Sequence, residues 1–306
     1  MTRNSNRNRK DVYQTVTDQI VAAIEAGAGE WQMPWHRAGE GLNRPVNIDT
    51  GNAYRGINIV ALWAAGQVRG YSSGTWGTYR QWQKAGAQVR KGEKASTVVF
   101  YKEFDVEEPD PDTGELETGK RLFARASSVF NADQVDGFEV TLPEPKDPVQ
   151  ALAEADSFVT GTGADVRHGG ARAFYRLSED FIQMPDKERF VGSETSTATE
   201  AYYGTLLHEL VHWTGIERRC DRRFGKRFGD DAYAVEELVA ELGAAFLCAD
   251  LGITPEPRPD HAAYIEHWVK VMKADNRAIF TAASKAAQAT DFLAGLQQSE
   301  VTEAAA

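Results

Sequence analysis

Residues 206–215 read LLHELVHWTG, and this stretch limits what the chain can fold into more than any other. His208 and His212 lie four apart, the spacing that puts two side chains on one face of a helix. Leu206, Leu207, Leu210, Val211 and Trp213 surround them, so the helix, expected from Thr199 to Ile216, is buried rather than solvated. Two imidazoles on one buried face need a partner, and a divalent ion supplies it through both ring nitrogens. Glu209 follows the first histidine directly. There a carboxylate can reach a metal-bound water as general base without itself ligating.

A catalytic zinc site also needs a third protein ligand and one open position. The segment VEELVAELGAAFLCADLG predicts a second apolar helix, from about Ala232 to Leu251, ended by Gly252. It carries Glu237 and Glu241 at i and i+4, two carboxylates on an otherwise apolar element. Glu237 is the candidate third ligand, and Glu241 is placed to orient a ligand histidine from behind. Glu236 is the alternative ligand, which helical pitch alone does not decide. Zinc suits two imidazoles and a carboxylate; another divalent ion such as Mn2+ is compatible. The hairpin-like ARAFYRLSEDFIQMP is a candidate edge for an extended peptide, and His168, Tyr202, Tyr203 and Tyr233 are further polar candidates.

Charge divides the chain. Residues 1–104 hold 14 Lys+Arg against 8 Asp+Glu, whereas the remainder holds 20 against 37. The overall charge of −11 therefore hides a basic first part and an acidic second part. Five of the seven tryptophans (Trp31, Trp35, Trp63, Trp76 and Trp82) fall in the basic part, interleaved with Arg55, Arg80, Arg90, Lys91 and Lys94. Cations for phosphates and rings for unstacked bases are what a single-stranded nucleic acid site requires. Imitation of DNA by a carpet of carboxylates is incompatible with such a basic half.

Helical spacing is expected over residues 11–26, in the apolar INIVALWAAG, and from Thr75 through TWGTYRQWQKAG. AQVRKGEKASTVVFYKEF reads as strand, KGEK turn and strand, followed by an acidic hairpin loop over 105–119 and a return strand. A last helix is expected from about Pro259 to Phe280. The proline-rich 143–149 is the candidate linker between domains at 1–142 and 150–306. No run of 18 apolar residues and no signal-peptide pattern occurs, and Cys220 and Cys248 match no disulfide framework, so a cytoplasmic setting is expected. The polar, basic N-terminus is expected to be a disordered arm.

YRGINIVALW, TYRQWQKAGAQVRKGEK, FYRLSEDFIQMP, LLHELVHWTG and EELVAELGAAFL, in this order, resemble the ArdC antirestriction proteins of conjugative plasmids. That resemblance implies an α+β fold of two domains: an N-terminal single-stranded DNA-binding domain and a C-terminal zincin-like metallopeptidase domain. It also implies protection of incoming plasmid DNA from host restriction. His208, Glu209, His212 and Glu237 match the family's metal motif position by position. Single-stranded DNA is the expected partner, with a restriction enzyme or another DNA-bound protein as a further one and no membrane.

Overall fold

The computed structural model describes residues 11–26, 43–109, 116–139, 148–192, 196–222, 231–254 and 261–303. Trp31, Trp35, the N-terminal arm and most of the expected linker lie outside them. In chain order the helices are α1 (Val12–Ala26), α2 (Ile57–Arg69), α3 (Tyr79–Lys84), α4 (Pro148–Thr160), α5 (Ala198–Trp213), α6 (Asp231–Leu251), α7 (His261–Ala274) and α8 (Ala278–Glu303). The strands are β1 (Val46–Asn47), β2 (Thr75–Gly77), β3 (Gln88–Val89), β4 (Ser96–Pro109), β5 (Leu116–Asn131), β6 (Val135–Asp136), β7 (Asp165–His168), β8 (Phe174–Arg176) and β9 (Phe181–Met184). The architecture is α+β.

Three sheets form, ordered β1-β2-β5-β4, β3-β6 and β7-β9-β8. In the first, β4 and β5 make a long antiparallel ribbon from Ser96↔Val129 to Pro109↔Leu116. Its root is anchored to α2 by Asn58. The amide of this buried residue donates to the Val99 carbonyl (2.8 Å) and accepts from the Val99 N–H (2.7 Å). Asn58 thereby satisfies the outer edge of β4, which would otherwise be a template for unwanted pairing. In the third sheet β9 is central, parallel to β7 and antiparallel to β8.

One continuous apolar core joins both halves of the chain. Val16, Ile20 and Ile24 of α1 and Ile59 to Trp63 of α2 belong to the same buried cluster as Leu207, Leu210, Phe246, Trp268 and Leu293. A small second cluster gathers Trp82, Ala87, Val89, Ala132 and Val135.

Four expectations about elements are corrected. Of the loop expected over 105–119, residues 105–109 and 116–119 belong instead to β4 and β5, which pair as far as Pro109↔Leu116. Thr75–Gly77 is strand, because Trp76 pairs with Asn131 and Asn47; the helix begins only after Thr78, whose hydroxyl accepts from the Gln81 N–H in a capping box. The strands flanking KGEK do not pair with each other: β3 joins β6, and β4 joins β5. Arg90 makes the difference, since its N–H bonds the Gln134 carbonyl (3.0 Å) and its guanidinium the Asp133 carbonyl. The last expected helix is two, α7 and α8. The turn between them is set by Asp275, whose carboxylate accepts from the Arg277 N–H (2.8 Å). The Asn276 carbonyl there accepts from Thr17 of α1 (2.8 Å), so tertiary docking rewards the break.

Candidate metal centre and nucleic-acid surface

Helix α5 starts where a capping box says it should. Thr197 accepts from the Glu200 N–H, and the Glu200 carboxylate returns to the Thr197 N–H (2.8 Å). The other oxygen of Glu200 accepts from the Thr254 N–H (3.1 Å), tying the start of α5 to the chain beyond α6. Along α5, Leu206, Leu207, Leu210, Val211 and Trp213 are buried, and α6 packs on it. The two helices approach so closely at Gly243 that a Cβ there would lie 2.7 Å from the Val211 Cγ2. A glycine is required because backbone and side chain touch.

That crossing brings His208, His212 and Glu237 together, with one ligand atom from each lying within 4.8 Å of the others. The two Nε2 atoms are 3.1 Å apart, and Glu237 stands 3.5 Å from each. A tetrahedral ion with ligands at about 2.0–2.1 Å has ligand–ligand edges of about 3.3 Å. The donor set, two imidazoles and a carboxylate converging at these separations, therefore fits zinc or another divalent ion. Glu209 is 4 % exposed and lies about 100° around the helix from His208, beside the ligand group rather than in it.

Behind each histidine stands a carboxylate. Glu241 is 3.6 Å from His208 Nδ1, and Glu236 is 3.3 Å from His212 Nδ1. Glu236 thus sits behind the imidazole, opposite the side on which Glu237 converges. A fully buried guanidinium holds it there. Arg222 donates to both oxygens of Glu236 (3.0 and 3.1 Å), to the Val211 carbonyl (2.6 Å) and to the Thr214 hydroxyl (2.7 Å). Burial alone would lower the His212 pKa, but hydrogen bonds to Glu236 and Glu237 and the charges of Glu237 and Glu209 outweigh it, giving about 10. Burial likewise works against ionisation of Glu237, yet its contacts with His208 and His212 hold the carboxyl well below the usual range. The pocket is an anionic one in which a divalent ion can replace the imidazole proton.

Arg222 escaped the sequence reading, since it lies in a basic run that looks solvated. Only the separation from the end of α5, with Glu236 one position before Glu237, would have hinted at it. Three of the other polar candidates are engaged elsewhere: Tyr202 bonds His168 (2.9 Å) and Tyr203 donates to Asp156 (2.9 Å). The hairpin β8–β9 packs against α5, with β8 at the sheet edge. Its turn is pinned by Asp180, which accepts from Arg218, Arg219 (2.7 Å) and Tyr175 (2.7 Å).

The basic half is less simply arranged. Arg55 and Arg90 are exposed, Arg55 paired with Asp291 of α8 and Arg90 with Glu93 (3.1 Å) and the Asp133 carbonyl. Arg80, Lys91 and Lys94 are exposed. The tryptophans among the described residues are not: Trp63, Trp76 and Trp82 are 6, 2 and 0 % exposed. Trp76, expected as a stacking platform, instead meets Tyr71 edge-to-face inside the core, because β2 is an inner strand of its sheet. Among the described residues of this half, the exposed rings are Tyr79, Phe100 and Tyr101.

Residues 10–130 match the family model for the N-terminal domain of anti-restriction factor ArdC, and residues 153–285 that for a zincin-like metallopeptidase domain. The uncharacterized protein y4eC of Sinorhizobium fredii is 47 % identical over 306 residues, covering 96 % of both chains. A DNA primase TraC of Escherichia coli is 36 % identical over 313 residues, but the chain spans only 28 % of that protein. Crystal structures of the antirestriction protein ArdC from plasmid R388 superpose with a TM-score of 0.72 in both metal-free and Mn(II)-bound forms, at 41 and 39 % identity. Each covers 94 % of this chain and 98 % of its own. With two domain matches in the same order and a shared fold over nearly its whole length, the chain belongs to the ArdC family of antirestriction proteins.

Proposed function

We propose that this protein shields incoming plasmid DNA from restriction in the recipient cytoplasm, by binding it as a single strand through the N-terminal half. A divalent ion, zinc by its donor set and Mn(II) by analogy with the R388 protein, would be held by His208, His212 and Glu237. The convergence of these three groups across the α5–α6 crossing carries the metal part of the reading; the family match at residues 10–130 carries the DNA part. Such an ion supplies Lewis acidity and an acidified water. Glu236 and Glu241 orient the two imidazoles, and Glu209 is poised to take a proton.

A peptidase acting on a restriction enzyme or another DNA-bound protein is the second reading, favoured by β8, a sheet edge lying against α5. Transfer of unmodified plasmid into a restricting host separates the two. Under shielding, Glu209→Gln keeps protection, metal and DNA binding. If the carboxylate is a general base in a required proteolysis, the same change removes protection by about 10²–10⁴-fold while both binding properties persist. His212→Ala should abolish metal binding, as read by elemental analysis; full occupancy in that variant would refute the ligand set.

A further inference from the structure

Beyond α5 the chain turns straight back on the helix it leaves. The Cys220 N–H bonds the Thr214 carbonyl (2.9 Å) and the Arg222 N–H bonds the Gly215 carbonyl (2.8 Å), closing a tight loop. Asp221 makes the reversal with a left-handed backbone (φ 44°), which its short polar side chain tolerates. The loop delivers two arginines with different tasks. The Arg219 guanidinium lies over the Trp213 ring, 3.5 Å from its centroid, and donates to Asp180 (2.7 Å) and to the Trp213 carbonyl (2.8 Å). Arg222 bridges the end of α5 to Glu236 of α6, and its side chain is only 1 % exposed.

Four of the five N–H groups of Arg222 are used: two on Glu236, one on the Val211 carbonyl and one on the Thr214 hydroxyl. These acceptors bracket His212, with Val211 just before it, Thr214 two residues after it and Glu236 behind its ring. A sealed ion pair adds little net stability over a packed apolar pair of similar volume, so stability does not explain it. Its place beside His212 does. Glu236 stands 3.3 Å from His212 Nδ1, and an ionised carboxylate only accepts. With an ion at Nε2, the remaining ring proton therefore stays on Nδ1. Turned over about its Cβ–Cγ bond, the same ring would present a carbon where Nε2 now faces His208 and Glu237.

We propose that Arg222 is a positioning residue of the metal centre: it holds Glu236 against Nδ1 and so, through that carboxylate, keeps Nε2 of His212 turned to the ion. The inference rests on the metal site read from His208, His212 and Glu237, and extends its support to a residue outside both helices. His208 provides a comparison within the same site, since the carboxylate behind it is Glu241, one turn along α6 from Glu237.

Zinc titration of the full chain tests this, together with ring-nitrogen NMR spectra of the zinc-loaded histidines and denaturant unfolding. Arg222→Met/Glu236→Met removes both charges, so it should fold nearly as well as the wild type yet bind zinc about 10–100-fold more weakly. In that variant the His212 Nδ1–H signal should be lost to exchange with water while the His208 signal persists; a general loosening of the fold would affect both rings. Arg222→Lys keeps the buried charge, but one ammonium cannot span Glu236, Val211 and Thr214 as the planar guanidinium does. It should weaken zinc binding about ten-fold. Arg219→Met loosens the same loop and should leave zinc affinity unchanged. Wild-type zinc affinity in both Arg222 variants would overturn the proposal. An equal loss in Arg219→Met would overturn it too, because stiffness of the loop would then be the cause. A wild-type chain that binds neither zinc nor manganese would instead remove the metal reading, and this inference with it.

Discussion

The α5–α6 crossing can be opened by a single methyl group. An alanine at position 243 would put its Cβ 2.7 Å from Val211 Cγ2 and 3.0 Å from Cγ1, where carbon atoms normally rest about 3.5–4.0 Å apart. Val211 cannot turn away: it is completely buried, and a β-branched side chain in a helix has essentially one rotamer. The helices must therefore part by about 1 Å. Overpacking of this kind costs about 1–3 kcal/mol. Alanine returns about 1 kcal/mol in helix propensity, so a net loss of roughly 0–2 kcal/mol is expected in the metal-free protein.

The consequence for the site is larger. Glu237 rides on α6 and the histidines on α5, with 3.5 Å between His212 and Glu237. Ligand distances tolerate only about 0.2 Å, so a displacement near 1 Å should lower metal affinity by at least about ten-fold. Thermal unfolding with and without added metal, together with metal titration, measures both effects. Val211→Ala removes the two clashing methyls, so a double-mutant cycle should show Gly243→Ala to be less harmful in that background by about 0.5–3 kcal/mol. Were the helices loosely packed, Gly243→Ala would instead stabilise by about 1 kcal/mol and leave metal binding alone. That outcome refutes the reasoning.

Two further expectations follow from charged groups. Glu236→Ala strands the buried Arg222 charge and should cost about 3–5 kcal/mol, whereas Arg222→Met/Glu236→Met together should cost much less, since neither charge remains. Denaturant unfolding checks this, and additive losses in the double variant would contradict it. Asp180 has its pKa lowered to about 2, chiefly by the hydrogen bond from Arg219. Its carboxylate stabilises the fold fully above the unfolded value of about 3.9, and that contribution fades as pH falls towards the folded value. Asp180→Asn should flatten the stability profile between those two pH values; an unchanged profile would show that the clamp on the β8–β9 turn carries no stability.

What could be read without coordinates was what repeats at short range. The i, i+4 placement of His208 and His212 in an apolar run belongs to one helix, so the helix and its shared face follow from spacing alone. The same holds for α6, α1 and the β8–β9 hairpin, all of which form where their periodicity put them. Glu237 was legible as a candidate ligand because a carboxylate on a buried helix needs a partner, but its convergence with the histidines in place of Glu236 was not. Adjacent residues on a helix differ by about 100° in direction, and only the crossing with α5 decides that Glu237 faces the two Nε2 atoms while Glu236 stands behind His212 at Nδ1. Arg222 acquires its role only when the chain folds back beneath α5, a long-range contact with no local signature. The tryptophans show the limit most clearly. A ring suits a core and a stacking surface equally well, and burial depends on whether its strand is inner or outer. β2 lies inside its sheet and takes Trp76 into the core, while β4 and β5 run beyond the helices that cover their root and leave Phe100 in water.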